Sequence, residues 1–380
     1  MGKNKKGLWL RYKPSADELA QVVTEKVFSM GGNVFLEQVP VWFDYTFFNK
    51  ASDPVLNASP DEYLYRLKNS AARLVILSES NTKAMANVKP ERRTMRNKAV
   101  EPYVHEALKT DEKGDFKTPW CGVIWPTEAY AQDMGMSLAE CREYIFNAMY
   151  LDEENPIRRW KRIARGQKKM IGDVLNGTKN ITIVDESNGT NLTMSVEDHR
   201  WMNADGHVNF PDNEIFNAPR KTSVNGVLTI PSLPQYYQGG PEVRDIRLVF
   251  KDGKVVSWDA KVGKDYLDEF LTKTLGANYI GEVALGGHSK IDRISKQILL
   301  DEKMGGTVHL ALGRAYDLHV LGNADRSGLN QSAVHWDLIK DMKYPEAYVQ
   351  LDNRLKLVWS KPFEQWITQK LYSEGAHRQM

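Results

Sequence analysis

Hydrophobic positions follow one spacing in the first half of the chain and another in the second. Over Pro14–Met30 they fall at Leu19, Val22, Val23 and Val27, the spacing that lays an apolar stripe along a helix, and Gly31-Gly32 stops it. Asn33–Gln38 reads as a short strand. Ser59-Pro-Asp-Glu predicts a helix start, with Ser59 as N-cap, proline at the first position and early acids, and Arg73–Ser80 follows as a buried strand. After a charged helical stretch through Lys109 and a polar loop near Asp111–Lys117, Trp120–Trp125 reads as a third strand. Ser137-Leu-Ala-Glu140 fits the capping box, and Asn155-Pro156 caps a further helix running toward Val174. Strands alternating with helices imply a mostly parallel sheet flanked by helices, so residues 1–178 are expected to form an α/β domain.

The pattern changes near Gly177. Asn180–Val196 alternates about Ser187-Asn-Gly-Thr and Ile246–Trp258 about Asp252-Gly253, both hairpin signals because a tight primed turn requires positive φ. Helical spacing returns at Lys261–Leu275 and Ser289–Leu300. Residues 179–380 are therefore expected to form an α+β domain with mainly antiparallel strands. A chain of 380 residues has length for two cores, since single cores stop growing at roughly 250 to 300 residues.

Composition narrows the partners. Lysine plus arginine (51) nearly balances aspartate plus glutamate (49), which gives no electrostatic case for nucleic acid or an acidic membrane surface. Met1–Leu10 is basic but lacks the apolar run of a secretory signal, Lys6 stands where a myristoylation motif needs Ser or Thr, and no apolar stretch approaches the roughly 20 residues of a membrane span. A cytoplasmic protein is expected. Cys121 and Cys141 form no Cys-x-x-Cys and read as buried free thiols. Dinucleotide and phosphate-loop glycine motifs, Gly-x-Ser-x-Gly and His-Glu-x-x-His are all absent.

Candidate chemistry concentrates in Gly281–Asp337. Glu282 lies in an apolar strand pattern, where alternation puts it on the face of Ile280 and Ala284; His309 and Ala311 lie opposite Val308, Leu310 and Leu312; His335 and Asp337 lie opposite Val334 and Trp336. With Tyr316, these oxygen and nitrogen donors suit a hard or borderline divalent metal. Taken singly, each has a plainer reading: His309 as a satisfied core histidine, Glu282 as half of an ion pair with Arg247 or Arg314, and Tyr316 as a half-buried tyrosine. His105, His199, His207, His288, His319 and His377 read as exposed or satisfied, Trp120, Trp125, Trp201 and Tyr236-Tyr237 as packing, and Arg92–Lys98 as a solvated helix face.

Asn209-Phe-Pro-Asp-Asn-Glu-Ile-Phe-Asn-Ala-Pro219 adds Glu214 after a turn-forming Pro-Asp-Asn. This segment, together with Ala131-Gln-Asp-Met-Gly-Met-Ser-Leu138, Ile246–Val256, Gly281-Glu-Val-Ala-Leu, His309-Leu-Ala-Leu-Gly-Arg-Ala-Tyr and Ser332-Ala-Val-His-Trp-Asp, resembles the aminopeptidase T and aminopeptidase S family of dinuclear metallopeptidases. The resemblance covers most of the chain and is loosest in the N-terminal third. It implies that Glu214, Glu282, His309, Tyr316, His335 and Asp337 form a site for two divalent ions, with zinc, cobalt and manganese all compatible. It further implies hydrolysis of N-terminal residues from short peptides by an activated water, and a homodimer. Either Glu282 or Asp337 would bridge the ions, and Tyr316 would ligate or donate its hydroxyl. Two other classes fit parts of the pattern. A mononuclear iron ring-cleaving dioxygenase of the same fold family would use His309, His335 and Asp337, and a metal-free binding protein would use none of them.

Overall fold

The computed structural model describes residues 7–370 except 86, 112–114, 238–239, 321–324 and 362–364, so the basic Met1–Lys6 segment and His377 lie outside the described residues. The first half builds a five-stranded sheet in the order Val34–Gln38, Leu8–Tyr12, Ala72–Leu77, Trp120–Ile124 and Asn209–Phe210, all parallel. The expected α/β pattern is therefore present, and its last strand is lent by the second half. Ser137 caps the helix Leu138–Ala148 through a capping box with Glu140, and Asn155 caps Pro156–Met170 by accepting from the Arg158 N–H.

The second half is antiparallel. Eight strands run in the order Lys254–Val262, Arg244–Lys251, Asn225–Ile230, Thr190–Ser195, Asn180–Asp185, Ala347–Leu351, Leu355–Ser360 and Gln365–Lys370. Asp252 and Gly253 both take positive φ (49° and 84°), as the predicted turn requires. A third sheet orders His335–Asp341, Thr307–Gly313, Ile280–Gly286, Glu214–Asn217 and Met202–Ala204. These two sheets share one apolar core, in which Ile215, Val283, Leu285, Val308, Leu310, Leu312, Trp336 and Leu338 pack with Ile183, Leu192, Leu228, Leu248 and Val349. Each fully buried leucine here stabilises the fold by about 1.5–3 kcal/mol. The opposite face of the five-stranded antiparallel sheet is thereby left for other work.

Four local expectations are corrected. Ser289–Leu300 is not a helix: only Ile298–Asp301 is helical, Lys296 takes φ 62°, and the Asp301 carboxylate accepts from the N–H and hydroxyl of Ser295 in place of a helical ladder. Ile291, Leu299 and Leu300 from this segment, with Met304 just beyond it, pack into the core of the parallel sheet. Ser59 does not cap its helix; Pro60 occupies the cap position and the helix runs Asp61–Asn69. Of the two free thiols, Cys141 is buried but Cys121 is only half-buried. The Arg92–Lys98 face is not simply solvated, because Arg92 pairs with Asp53 at 3.0 Å and Arg96 donates to the Ala58 carbonyl at 2.8 Å.

Candidate metal centre

The strand Ile280–Gly286 contains a register shift. Ile280 pairs with Leu312 and Glu282 with Ala311, so Gly281 is an extra residue opposite no partner. This corrects the alternation expected for Ile280: it joins Val283 and Leu285 in the shared core, while Glu282 and Ala284 turn to the other face. A side chain at Gly281 would sit 2.3 Å from the Arg314 carbonyl oxygen and 2.4 Å from that of Gly313, so the bulge is open only to glycine.

On that other face the sheet register brings the predicted donors together. Ala311 lies between Glu282 and Asp337, Ala284 lies beside His309, and Gly313 lies beside His335. These small residues leave room for the long polar side chains between them. Glu214 joins from the next strand, paired with Gly286. His309 Nε2 is 3.1 Å from Glu282 Oε1, 3.5 Å from Glu214 Oε2 and 3.9 Å from Asp337 Oδ1; His335 Nε2 is 3.2 Å from Asp337 Oδ1 and 4.0 Å from Glu282 Oε2. Tyr316 lies at the edge, its ring 5.0 Å from that of His335. Neither arginine partner considered for Glu282 is in contact with it; Arg314 instead reaches Glu101 at 3.6 Å.

Both imidazoles are held the same way. His309 Nδ1 meets the Glu302 carbonyl at 2.9 Å and His335 Nδ1 meets the Arg314 carbonyl at 2.8 Å. A carbonyl only accepts, so each Nδ1 carries a proton and each Nε2 is turned toward the carboxylates, the atom that would ligate a metal once a bound cation displaces its proton. Glu214 Oε2, Glu282 Oε2 and Asp337 Oδ1 are buried without a well-formed hydrogen bond. Buried, unpaired anionic oxygens are costly unless a cation completes them, and with two Nε2 atoms they fit a divalent metal. Two sets of donor atoms lie within 4.8 Å of one another, Glu214/Glu282/His309 and Glu282/His335/Asp337, with Glu282 common to both.

Sequence reading missed Glu302 and Lys303. Glu302 forms a further donor group with His309 and Asp337. Lys303, 1% exposed, lies 2.5 Å from Glu214 and 2.6 Å from Glu302. The available signal was an acid and a lysine in Leu300-Asp-Glu-Lys-Met-Gly-Gly, a stretch with apolar residues on both sides.

The electrostatics follow from burial among charges. Burial raises the Glu214 pKa to about 8 against the opposing charges of Lys303 and His309. For His309 burial acts downward, but Glu214, Glu282 and Asp337 outweigh it and lift the ring to about 9; His335 is lifted to about 10, chiefly by Asp337. Burial also works against ionised Asp337 and Glu282, yet the two histidines hold both below the usual carboxylate range. The other histidines stay apart. His199, His288 and His319 each bond a backbone carbonyl through one ring nitrogen, His207 is exposed beside Asp205, and His105 is exposed. At the Tyr316 edge of the centre a cleft of about 660 Å³ opens between Tyr316, Arg314 and Asp317 on one side and Lys98, Glu101 and His105 on the other.

A sequence model described as Thermophilic metalloprotease (M29) matches residues 2–352. The chain belongs to this metallopeptidase family. It is accordingly a hydrolase, and the family expected from the sequence motifs is the one found. Among curated members, aminopeptidase AmpS of Bacillus subtilis is 28% identical over 306 residues, covering 72% of each chain. Aminopeptidase T of Thermus thermophilus is 27% identical over 355 residues, covering 85% of this chain and 84% of its own. The solved structure of AmpT from Thermus thermophilus superposes with a TM-score of 0.75 at 22% identity over 98% of this chain and 94% of that one. A dihydroxypyridine dioxygenase from Pseudomonas putida shares the fold alone, with a TM-score of 0.52 at 11% identity over 96% and 92% of the two chains.

Proposed function

We propose that the chain is a metal-dependent aminopeptidase that releases N-terminal residues from short peptides, using two divalent ions held by Glu214, Glu282, His309, His335 and Asp337. The observation that carries this reading is that the donors fall into triplets sharing a carboxylate: Glu282 is common to Glu214/Glu282/His309 and Glu282/His335/Asp337, and Asp337 to the latter and Glu302/His309/Asp337, so either carboxylate can bridge. When bound, such a pair of ions supplies an acidified water and an electrophile for the scissile carbonyl.

The protein's own groups do the rest. Nδ1 contacts fix both imidazole rings, and Glu282 offers one oxygen to each side of the centre. Burial and nearby carboxylates push the Tyr316 hydroxyl well above its ordinary pKa, so it stays protonated and can donate to the developing oxyanion. Lys98 and Arg314, lining the cleft, suit the carboxylate end of a short peptide. In this reading residues 1–178 supply the far wall of the cleft and residues 179–380 the donors. A ring-cleaving dioxygenase would leave Glu214 and Glu282 without a role, and a metal-free binding protein would leave three buried carboxylate oxygens unpaired.

Zinc, cobalt and manganese all suit mixed imidazole and carboxylate donors. A homodimer is supported by large exposed apolar residues between Phe28 and Tyr45, including Met30, Leu36 and Trp42, along the edge strand Val34–Gln38 and the helix that follows. A cytoplasmic setting accords with two free thiols, and no helix among the described residues is long and apolar enough to cross a membrane. The test combines elemental analysis, peptide release and light scattering. Two ions per chain, loss of N-terminal residue release on chelation with recovery on adding a divalent ion, and a dimeric mass are expected. One iron per fully active chain would overturn the two-ion reading.

A further inference from the structure

Lys303 and Lys340 are both buried, but only Lys340 has a single acidic partner, Asp185 at 2.7 Å. Lys303 Nζ faces three carboxylates: Glu214 Oε1 at 2.5 Å, Glu302 Oε1 at 2.6 Å and Asp212 Oδ1 at 3.5 Å. Its backbone is pinned on both sides, the N–H donating to Leu300 and the carbonyl accepting from His288. The ammonium therefore belongs to the built structure of the centre.

Two consequences follow from where it sits. Glu214 gives Oε1 to Lys303 and keeps Oε2, which has no hydrogen bond and lies 3.5 Å from His309 Nε2. The lysine thus converts Glu214 into a single-oxygen donor, and it occupies one oxygen of Glu302 in the same way. The second consequence is charge. Asp212, Glu214, Glu282, Glu302 and Asp337 converge on this region, and Lys303 cancels one of the five carboxylates permanently, leaving the charge of two divalent ions to be matched. That ammonium touches Glu214, of the Glu214/Glu282/His309 group, and Glu302, of the Glu302/His309/Asp337 group, whereas no ion pair joins it to Glu282 or Asp337.

We propose that Lys303 is a positioning residue that sets the order of metal loading: the Glu282/His335/Asp337 position fills first, and the Glu214/Glu282/His309 position, with Glu214 restricted to one oxygen and a fixed positive charge beside it, fills second and more weakly. This rests on the two-ion reading given above. Like charges in a buried site repel strongly enough for the two affinities to differ by tenfold or more. Removing the ammonium frees an oxygen on each of two carboxylates and removes the repulsion, so the weaker position gains most.

The experiment is calorimetric titration of metal-stripped protein with cobalt(II) alone, followed in parallel by cobalt absorbance. Wild type is expected to bind two ions in two steps at least tenfold apart; Glu214→Gln removes the weaker step and His335→Ala the tighter. Lys303→Met tightens the weaker step at least tenfold, so that the steps approach each other, while Lys303→Arg keeps them apart. A merely structural lysine would lower the melting temperature of the stripped Lys303→Met protein and leave the ratio of the two constants unchanged, which would overturn the proposal. Should Lys303→Met fail to fold, the wild-type titration with Glu214→Gln and His335→Ala decides, and a reversed assignment of the two steps overturns it. Two ions of equal affinity in wild type sink this inference alone, whereas one ion per chain sinks the two-ion reading as well.

Discussion

Glu282 meets His309 Nε2 with one carboxylate oxygen at 3.1 Å and directs the other toward the opposite end of the centre, where it has no hydrogen bond. The contact depends on His309 being fixed from behind by the Glu302 carbonyl, so the imidazole can turn neither nitrogen away from the carboxylates.

His309→Ala and His335→Ala are each expected to lower metal content measured by elemental analysis and to reduce peptide hydrolysis by more than about 100-fold, since outer contacts of metal ligands alone cost 10–100-fold. His207→Ala should leave both quantities within about twofold of wild type. An equal loss at His207 would mean that the wrong histidines have been assigned to the centre.

Gly281→Ala tests the bulge. The added methyl meets two backbone carbonyl oxygens at 2.3 and 2.4 Å, which have no flexible end to yield. Destabilisation of more than about 2 kcal/mol is expected, lowering the melting temperature by several degrees in differential scanning fluorimetry. An unchanged melting temperature would show that the strand accommodates a side chain there.

His288 provides a pH test away from the metal donors. Burial, with Arg159 and Lys290 nearby, lowers its pKa from 6.5 to about 4, and it stacks on Tyr150 at 4.9 Å. The unfolded chain therefore takes up the proton first: the contribution to stability is full above about pH 6.5 and is lost as pH falls toward 4. At pH 5 the loss is on the order of 2 kcal/mol. Wild-type melting temperature should consequently fall more steeply between pH 7 and 5 than that of His288→Gln, and parallel slopes would contradict the assignment.

Ser137→Ala should cost about 1 kcal/mol, because both halves of the capping box are formed. Urea denaturation with an unchanged slope and a lower midpoint is the expected result; no shift in midpoint would mean that solvent replaces the cap.

Features set by neighbours in sequence could be read without coordinates. The Ser137 capping box and the Asp252-Gly253 turn depend on four residues or fewer, and strand alternation placed His309, His335 and Asp337 on one face of the sheet with no knowledge of their partners. What escaped depended on distance along the chain. Glu302 and Lys303 acquire their meaning from Glu214, which lies nearly ninety residues earlier, and Ser289–Leu300 has helical spacing only until Ser295 and Asp301 bind each other. Alternation also fails at a bulge, which inserts a residue without changing the apolar pattern, and so Ile280 was placed on the wrong face.

That inserted glycine divides the strand between two masters. Before it, Ile280 answers to the packing of a sandwich; beyond it, Glu282 answers to ligand geometry. Deleting Gly281 would leave the composition of the core and the set of donors unchanged, yet it would either rotate a carboxylate into hydrocarbon or turn an isoleucine among the acids. Alignments and redesigns of this strand must therefore conserve its length as strictly as its side chains.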